Sequence, residues 1–200
     1  MPLQQILPTW LAINNCNFTS PSGMVDPITG QPYYGGGLNL GDYFDLTEQE
    51  ANNASFTTNG TLHSGRYRLV QVDTAATAAN VVNGRIGYMS PNFTTNVNVV
   101  TDASHGDVGV HMVVFLNTIT PGNYGFVQEG GLAMTLAGAS ISNVAPAIGQ
   151  YLNAVTATGL VDSPVSASQT QGQATVGQAL VVPAATTRLL TSLIWYPQQG

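Results

Sequence analysis

From about residue 61 onward the chain sets short apolar runs between turn residues, the pattern of successive short strands. In RYRLVQV (66–72), Tyr67 and Leu69 point one way and Arg66 and Arg68 the other, as in a half-exposed strand. The run HMVVFLN (111–117) is apolar without alternation, which predicts a strand covered on both faces. YGFVQ (124–128) puts Tyr124 and Phe126 on one side, and LAMTL (132–136) alternates with Leu132, Met134 and Leu136 expected inward. TPGN (120–123) and EGG (129–131) supply the fixed proline φ and the glycines that tight turns require, so 118–136 reads as a small meander. RLLTSLIWY (188–196) reads as a central strand or a strand at a subunit interface.

IGQYLNAV (148–155) and VGQALVV (176–182) share a glycine-glutamine step read as an entry from turn to strand, and polar SPVSASQTQGQAT (163–175) reads as an exposed loop. DTAATAANVVNG (73–84) reads as a loop entering the strand RIGYM, because threonine and asparagine offset its alanines. The expected fold class is therefore mainly β, a small barrel or sandwich spanning 61–200. Residues 1–60 differ in kind: they are rich in Pro, Gly and Asn, with a brief helical signal at TEQE (47–50), where Thr47 and Glu50 have capping-box spacing. They read as an extended, mostly irregular arm carrying Trp10, Phe18, Tyr33, Tyr34, Tyr43 and Phe44 as anchors, and Asp42, Asp45, Glu48 and Glu50 as a solvated acidic face.

Composition changes this picture mainly at the surface. Charged residues are 7% of the chain, against roughly 25% in an average soluble protein, so the surface is built from small polar and amide side chains and is inclined to associate. Apolar content of 44% is enough for a real core. There is no lysine, and the only cations besides histidine are Arg66, Arg68, Arg85 and Arg188, against ten carboxylates. Walker-type phosphate binding and Schiff-base chemistry lack their amine, and nucleic-acid binding lacks its basic face. YYGGGLNLG (33–41) is then a turn or close-packing site. Cys16 is the single cysteine, so neither an intrachain disulfide nor a multi-cysteine metal site is expected. MPLQQILPTWLAI has no positive flank, contains a proline and is too short to span a bilayer, so a cytoplasmic site of synthesis and no membrane partner are expected. The sequons at Asn17, Asn53, Asn59 and Asn92 are what an Asn/Thr-rich chain yields by chance.

The densest set of reactive types is TDASHGDVGVH (101–111), with Asp102, Ser104, His105, Asp107 and His111. Neither a His-Glu-x-x-His helix nor a Gly-x-Ser-x-Gly elbow frames it, and the same residue types are ordinary turn formers. His111 reads as a core or interface histidine opening an apolar strand, and His63 as a turn residue. No catalytic residue, cofactor or metal is expected, and the chain reads as a non-enzyme.

The succession GRYRLVQVDTAATAANVVNGRIGYM, then VTDASHGDVGVHMVVFLNTITPGNYGFVQEGG, resembles the capsid decoration, or cement, proteins of tailed bacteriophages. The matching features are Arg68, Leu69 and Val70; the run Val110 to Leu116; Pro121 and Gly122; Tyr124 to Gln128; and the closing Gly130 or Gly131. They cover about two-thirds of the chain, and the long N-terminal part departs from the compact members. The resemblance implies a β-barrel or sandwich that trimerises on the outer surface of an icosahedral head and clamps neighbouring major capsid proteins. Trp10, Tyr33 and Tyr34 are the candidate capsid or subunit contacts; packing on their own barrel is the alternative. Other function classes are a carbohydrate- or receptor-binding head fibre or adhesin module, an enzyme built on 101–111, and a shell-forming capsid protein.

Overall fold

The computed structural model describes residues 17–19, 40–49, 64–89, 98–104, 111–138, 147–155, 158–162, 175–180 and 189–194. Ten strands make one sheet: β1 (Tyr43–Leu46), β2 (Gly65–Val72), β3 (Ile86–Met89), β4 (Val99–Asp102), β5 (Met112–Phe115), β6 (Tyr124–Leu136), β7 (Tyr151–Ala154), β8 (Val161–Asp162), β9 (Thr175–Ala179) and β10 (Leu189–Ile194). The fold is mainly β, as its alternating pattern requires. Trp10, Tyr33 and Tyr34 lie outside the described residues, as do His63, His105 and Asp107.

Five of the strands close on themselves. β2 pairs β4 in parallel, β4 pairs β3, β3 pairs β5, β5 pairs β6, and β6 returns to β2, all antiparallel after the first step. Side chains alternate across a strand, so these registers fix one face that fills the ring: Val70 and Val72 of β2, Val100 of β4, Met89 of β3, Val113 and Phe115 of β5, and Val127 of β6. All of these are buried in one cluster. Gly87 makes room at its centre. A Cβ there would lie 2.7 Å from the Phe115 ring and 2.7 Å from the Thr101 carbonyl oxygen.

The outer face is covered in two places. Phe18, Leu40 and Phe44 pack against the first cluster, with the Phe44 and Phe126 rings 5.7 Å apart and inclined at 59°. Ile86, Tyr88 and Val114 instead form a second cluster with Ala133, Ala137, Leu152, Ala154, Val161, Val176 and Ala179. The continuous apolar run at 112–116 follows directly. Val113 and Phe115 serve the first cluster and Val114 the second, so β5 is covered on both faces as expected. β10 is central, between β6 and β9.

Three sequence expectations change. EGG is not a turn: β6 runs unbroken for 13 residues through it. Its pairing with β2 slips between Arg66 and Tyr67, where Arg66 opposes Gly130 and Tyr67 opposes Gln128, leaving Glu129 as an extra residue in a bulge. One extra residue inverts the alternation that follows, so Ala133, Thr135 and Ala137 are buried while Leu132, Met134 and Leu136 are only half-buried. The two glycine-glutamine steps also differ, since Gly149 lies in a turn while Gly177 sits inside β9 opposite Leu152. The 73–84 segment is a loop, as read, with a single 3-10 turn at Ala78–Asn80.

Gly87→Ala is expected to lower stability by about 1–3 kcal/mol, the usual cost of overpacking a filled core. Urea denaturation with an unchanged m-value measures this; an unaltered midpoint would show that Phe115 does not fill the ring.

Candidate functional site

The polar chemistry of the described residues gathers at the two ends of the ring. Arg68 lies two residues from Val70, His111 two before Val113 and Glu129 two after Val127, so each is the next position outward on the filling face. Arg68 Nε is 2.6 Å and His111 Nε2 3.1 Å from the same Glu129 oxygen. Neither contact has hydrogen-bond geometry, so Arg68 and Glu129 are held as an ion pair by proximity alone. The Glu129 side chain is only 3% exposed, while Arg68 and His111 each keep about a quarter of theirs in solvent. Alternation from Val127 puts Glu129 in this position, and the bulge leaves it there without a cross-strand partner on β2.

Beside this end lies an open depression of about 460 Å³ lined by Asp45, Leu46, Ser64, Gly65, Arg66 and Gly131. Arg66 donates from Nε and a terminal nitrogen to the two Asp45 oxygens at 2.9 and 3.2 Å, and its guanidinium lies 4.9 Å from the Tyr43 ring centre. The acidic face expected at 42–50 is thus partly neutralised.

At the other end, Asp102 is fully buried and well supplied with donors. Its carboxylate accepts from the Thr77 backbone N–H at 3.1 Å, Asn80 Nδ2 at 2.8 Å, and both the backbone N–H and the hydroxyl of Ser104. Arg85 donates to the Asn80 side-chain oxygen and, at 2.8 Å, to the Thr158 carbonyl. This network ties β4, the 3-10 turn and the loop before β8 together.

The described members of the 101–111 cluster, Asp102, Ser104 and His111, are therefore divided. Asp102 and Ser104 share a hydrogen bond at one end, and His111 faces Glu129 at the other. Acyl transfer needs nucleophile, base and orienting acid within hydrogen-bond reach, and these three do not meet. Among the described residues no group of three or more His, Cys, Asp or Glu side chains is placed to hold a metal ion. No helix of the described residues is long and apolar enough to cross a membrane.

Among the described residues two hydroxyls are buried without a partner: Tyr88 Oη and Thr101 Oγ1, cross-strand neighbours in the β3–β4 register. Burial pushes the Tyr88 phenol up to about 12. An unfolded tyrosine ionises near pH 10. Stability is thus fully present below about pH 10 and is lost as pH rises towards 12, where only the unfolded phenol can ionise freely.

No family model matches the chain, and no curated protein matches it. Among solved structures, the N base of the head fibre gp8.5 of bacteriophage phi29 is similar over 64% of this chain and 92% of its own, with a TM-score of 0.43 and 15% sequence identity.

Two measurements check the site. Glu129→Gln leaves Arg68 without its counter-charge and is expected to cost up to about 3 kcal/mol, whereas Asp45→Asn, at an exposed pair, costs less than about 1 kcal/mol; equal losses in chemical denaturation would contradict the distinction. Tyr88→Phe is expected to leave neutral-pH stability unchanged or higher and to flatten its decline between about pH 10 and 12. An unflattened alkaline decline would place the responsible group elsewhere.

Proposed function

We propose that the chain is a structural, non-catalytic virion protein that decorates the outside of an icosahedral phage head. In this reading a homotrimer clamps neighbouring major capsid subunits after synthesis in the host cytoplasm, with neither nucleic acid nor membrane as partner. The resemblance of residues 65 onward to cement proteins motivates it. The observation that carries it is the placement of exposed apolar side chains. Tyr43 lies on β1 at one end of the strand order, and Ile148, Tyr151 and Leu180 lie around β7 and β9 near the other.

Ile148, Tyr151 and Leu180 are brought together by the pairing itself. Tyr151 opposes Gln178, and the Gly149 N–H donates to the Ala179 carbonyl at 2.8 Å. Two separated apolar sites on one sheet suit a protein that holds two neighbours at once. The described arginines are already engaged: Arg66 with Asp45, Arg68 with Glu129, and Arg85 with Asn80 and the Thr158 carbonyl. Adhesion then rests on apolar and amide contacts, which salt screens little. A trimer multiplies modest contacts through effective concentration.

Co-sedimentation with undecorated heads of the source phage tests this. Binding is expected to be the same in low and high salt, and Tyr151→Ala to weaken it about tenfold, the loss of one contact residue worth about 1.4 kcal/mol. A monomer that ignores the heads, or binding abolished by salt, would overturn the reading.

A further inference from the structure

The start of β6 is a built site for a short extended peptide. Phe18 and Tyr124 exchange both backbone hydrogen bonds, each 2.8 Å. The Asn17 side-chain oxygen accepts from the Thr120 backbone N–H at 3.0 Å and from Asn123 Nδ2 at 2.8 Å, and its amide nitrogen donates to the Thr120 hydroxyl at 3.2 Å. Five hydrogen bonds and the Phe18 ring, packed against the first cluster, thus hold two consecutive residues. The slot, Thr120 to Tyr124, is more than a hundred positions away in sequence.

We propose that in the assembled oligomer this slot is filled by the Asn17–Thr19 segment of a second copy of the chain, so that copies are joined by exchange of their N-terminal segments. The inference rests on the assembly reading above and names how the copies hold one another. The connection from Thr19 to the next described residue, Leu40, is the twenty residues 20–39. Extended, it reaches about 66 Å, against a radius of gyration of about 16 Å for a compact domain of this length. Its length therefore does not oblige the segment to return to its own slot. Exchange forms the same five hydrogen bonds in either arrangement, so it costs no contact. Around a closed ring it makes release of one copy require release at both of its neighbours.

Phe18 and Tyr124 form a hydrogen-bonded antiparallel pair, which puts Thr19 opposite Asn123 at a non-hydrogen-bonded position. The Cα separation of about 4.5 Å usual there accepts a disulfide. In a Cys16→Ser background, chains carrying Thr19→Cys are co-expressed with chains carrying Asn123→Cys under distinct mass tags, oxidised and digested. Exchange predicts a peptide linking residue 19 of one tag to residue 123 of the other, lost when Asn17→Ala and Phe18→Ala are added. The chain with both cysteines is the control for geometry. If it closes within a single chain while the mixture gives no linked peptide, exchange is overturned. Head binding retained in that outcome would leave the decoration reading standing, whereas a linked peptide from chains that ignore heads would remove decoration and keep exchange.

Discussion

The structure depends on how β2 and β6 cross. Their pairing closes the ring, and it passes through a point where two backbones nearly touch: a Cβ on Gly131 would lie 2.5 Å from the Ser64 carbonyl oxygen, and one on Gly65 only 2.2 Å from that of Gly130. Gly131 also holds a φ of +98°, which other residues rarely adopt. Directly before this crossing the ladder takes up Glu129 as an extra residue. Everything downstream follows from that one-residue slip. It leaves Glu129 without a cross-strand partner on β2, and it presents Ala133 and Ala137, rather than the bulkier Leu132 and Met134, to the second cluster. Small side chains let the β7–β9 layer lie close against Ile86, Tyr88 and Val114.

Much of this was legible in the residues. The continuous apolar run at 112–116 announced a strand covered on both sides, and the mixed faces of 66–72 announced a strand partly in solvent. Even there the sequence was incomplete, since Val70 and Val72 share the parity of the arginines yet fill the ring. A strand can leave solvent for an interior along its length, and only the partners decide where. The bulge was hidden for a related reason: Glu-Gly-Gly suits a tight turn as well as a bulge, and the choice is made by the non-local approach of Ser64 and Gly65. The polar ends of the ring were hidden in the same way. Asp102 and His111 are close in sequence but separated by the whole filled interior.

Among the described residues, both buried carboxylates are spent on architecture. Asp102 holds a loop against a strand end, and Glu129 faces Arg68 and His111 at the opposite end, so these two charges serve the fold. The large apolar side chains exposed among the described residues are Tyr43, Ile148, Tyr151 and Leu180. Such side chains favour recognition by shape and apolar contact over long-range steering, which supports the proposed decoration role.

The central claim is that this chain is placed on the outer surface of a phage head, across the joints between capsid subunits. Electron cryomicroscopy of undecorated heads incubated with the purified protein tests it most directly. The account predicts added three-fold density on the outside, bridging adjacent capsid subunits, with the Tyr43 and Tyr151 sides of each copy facing different neighbours. Heads without added density, or density confined to the interior, would contradict it.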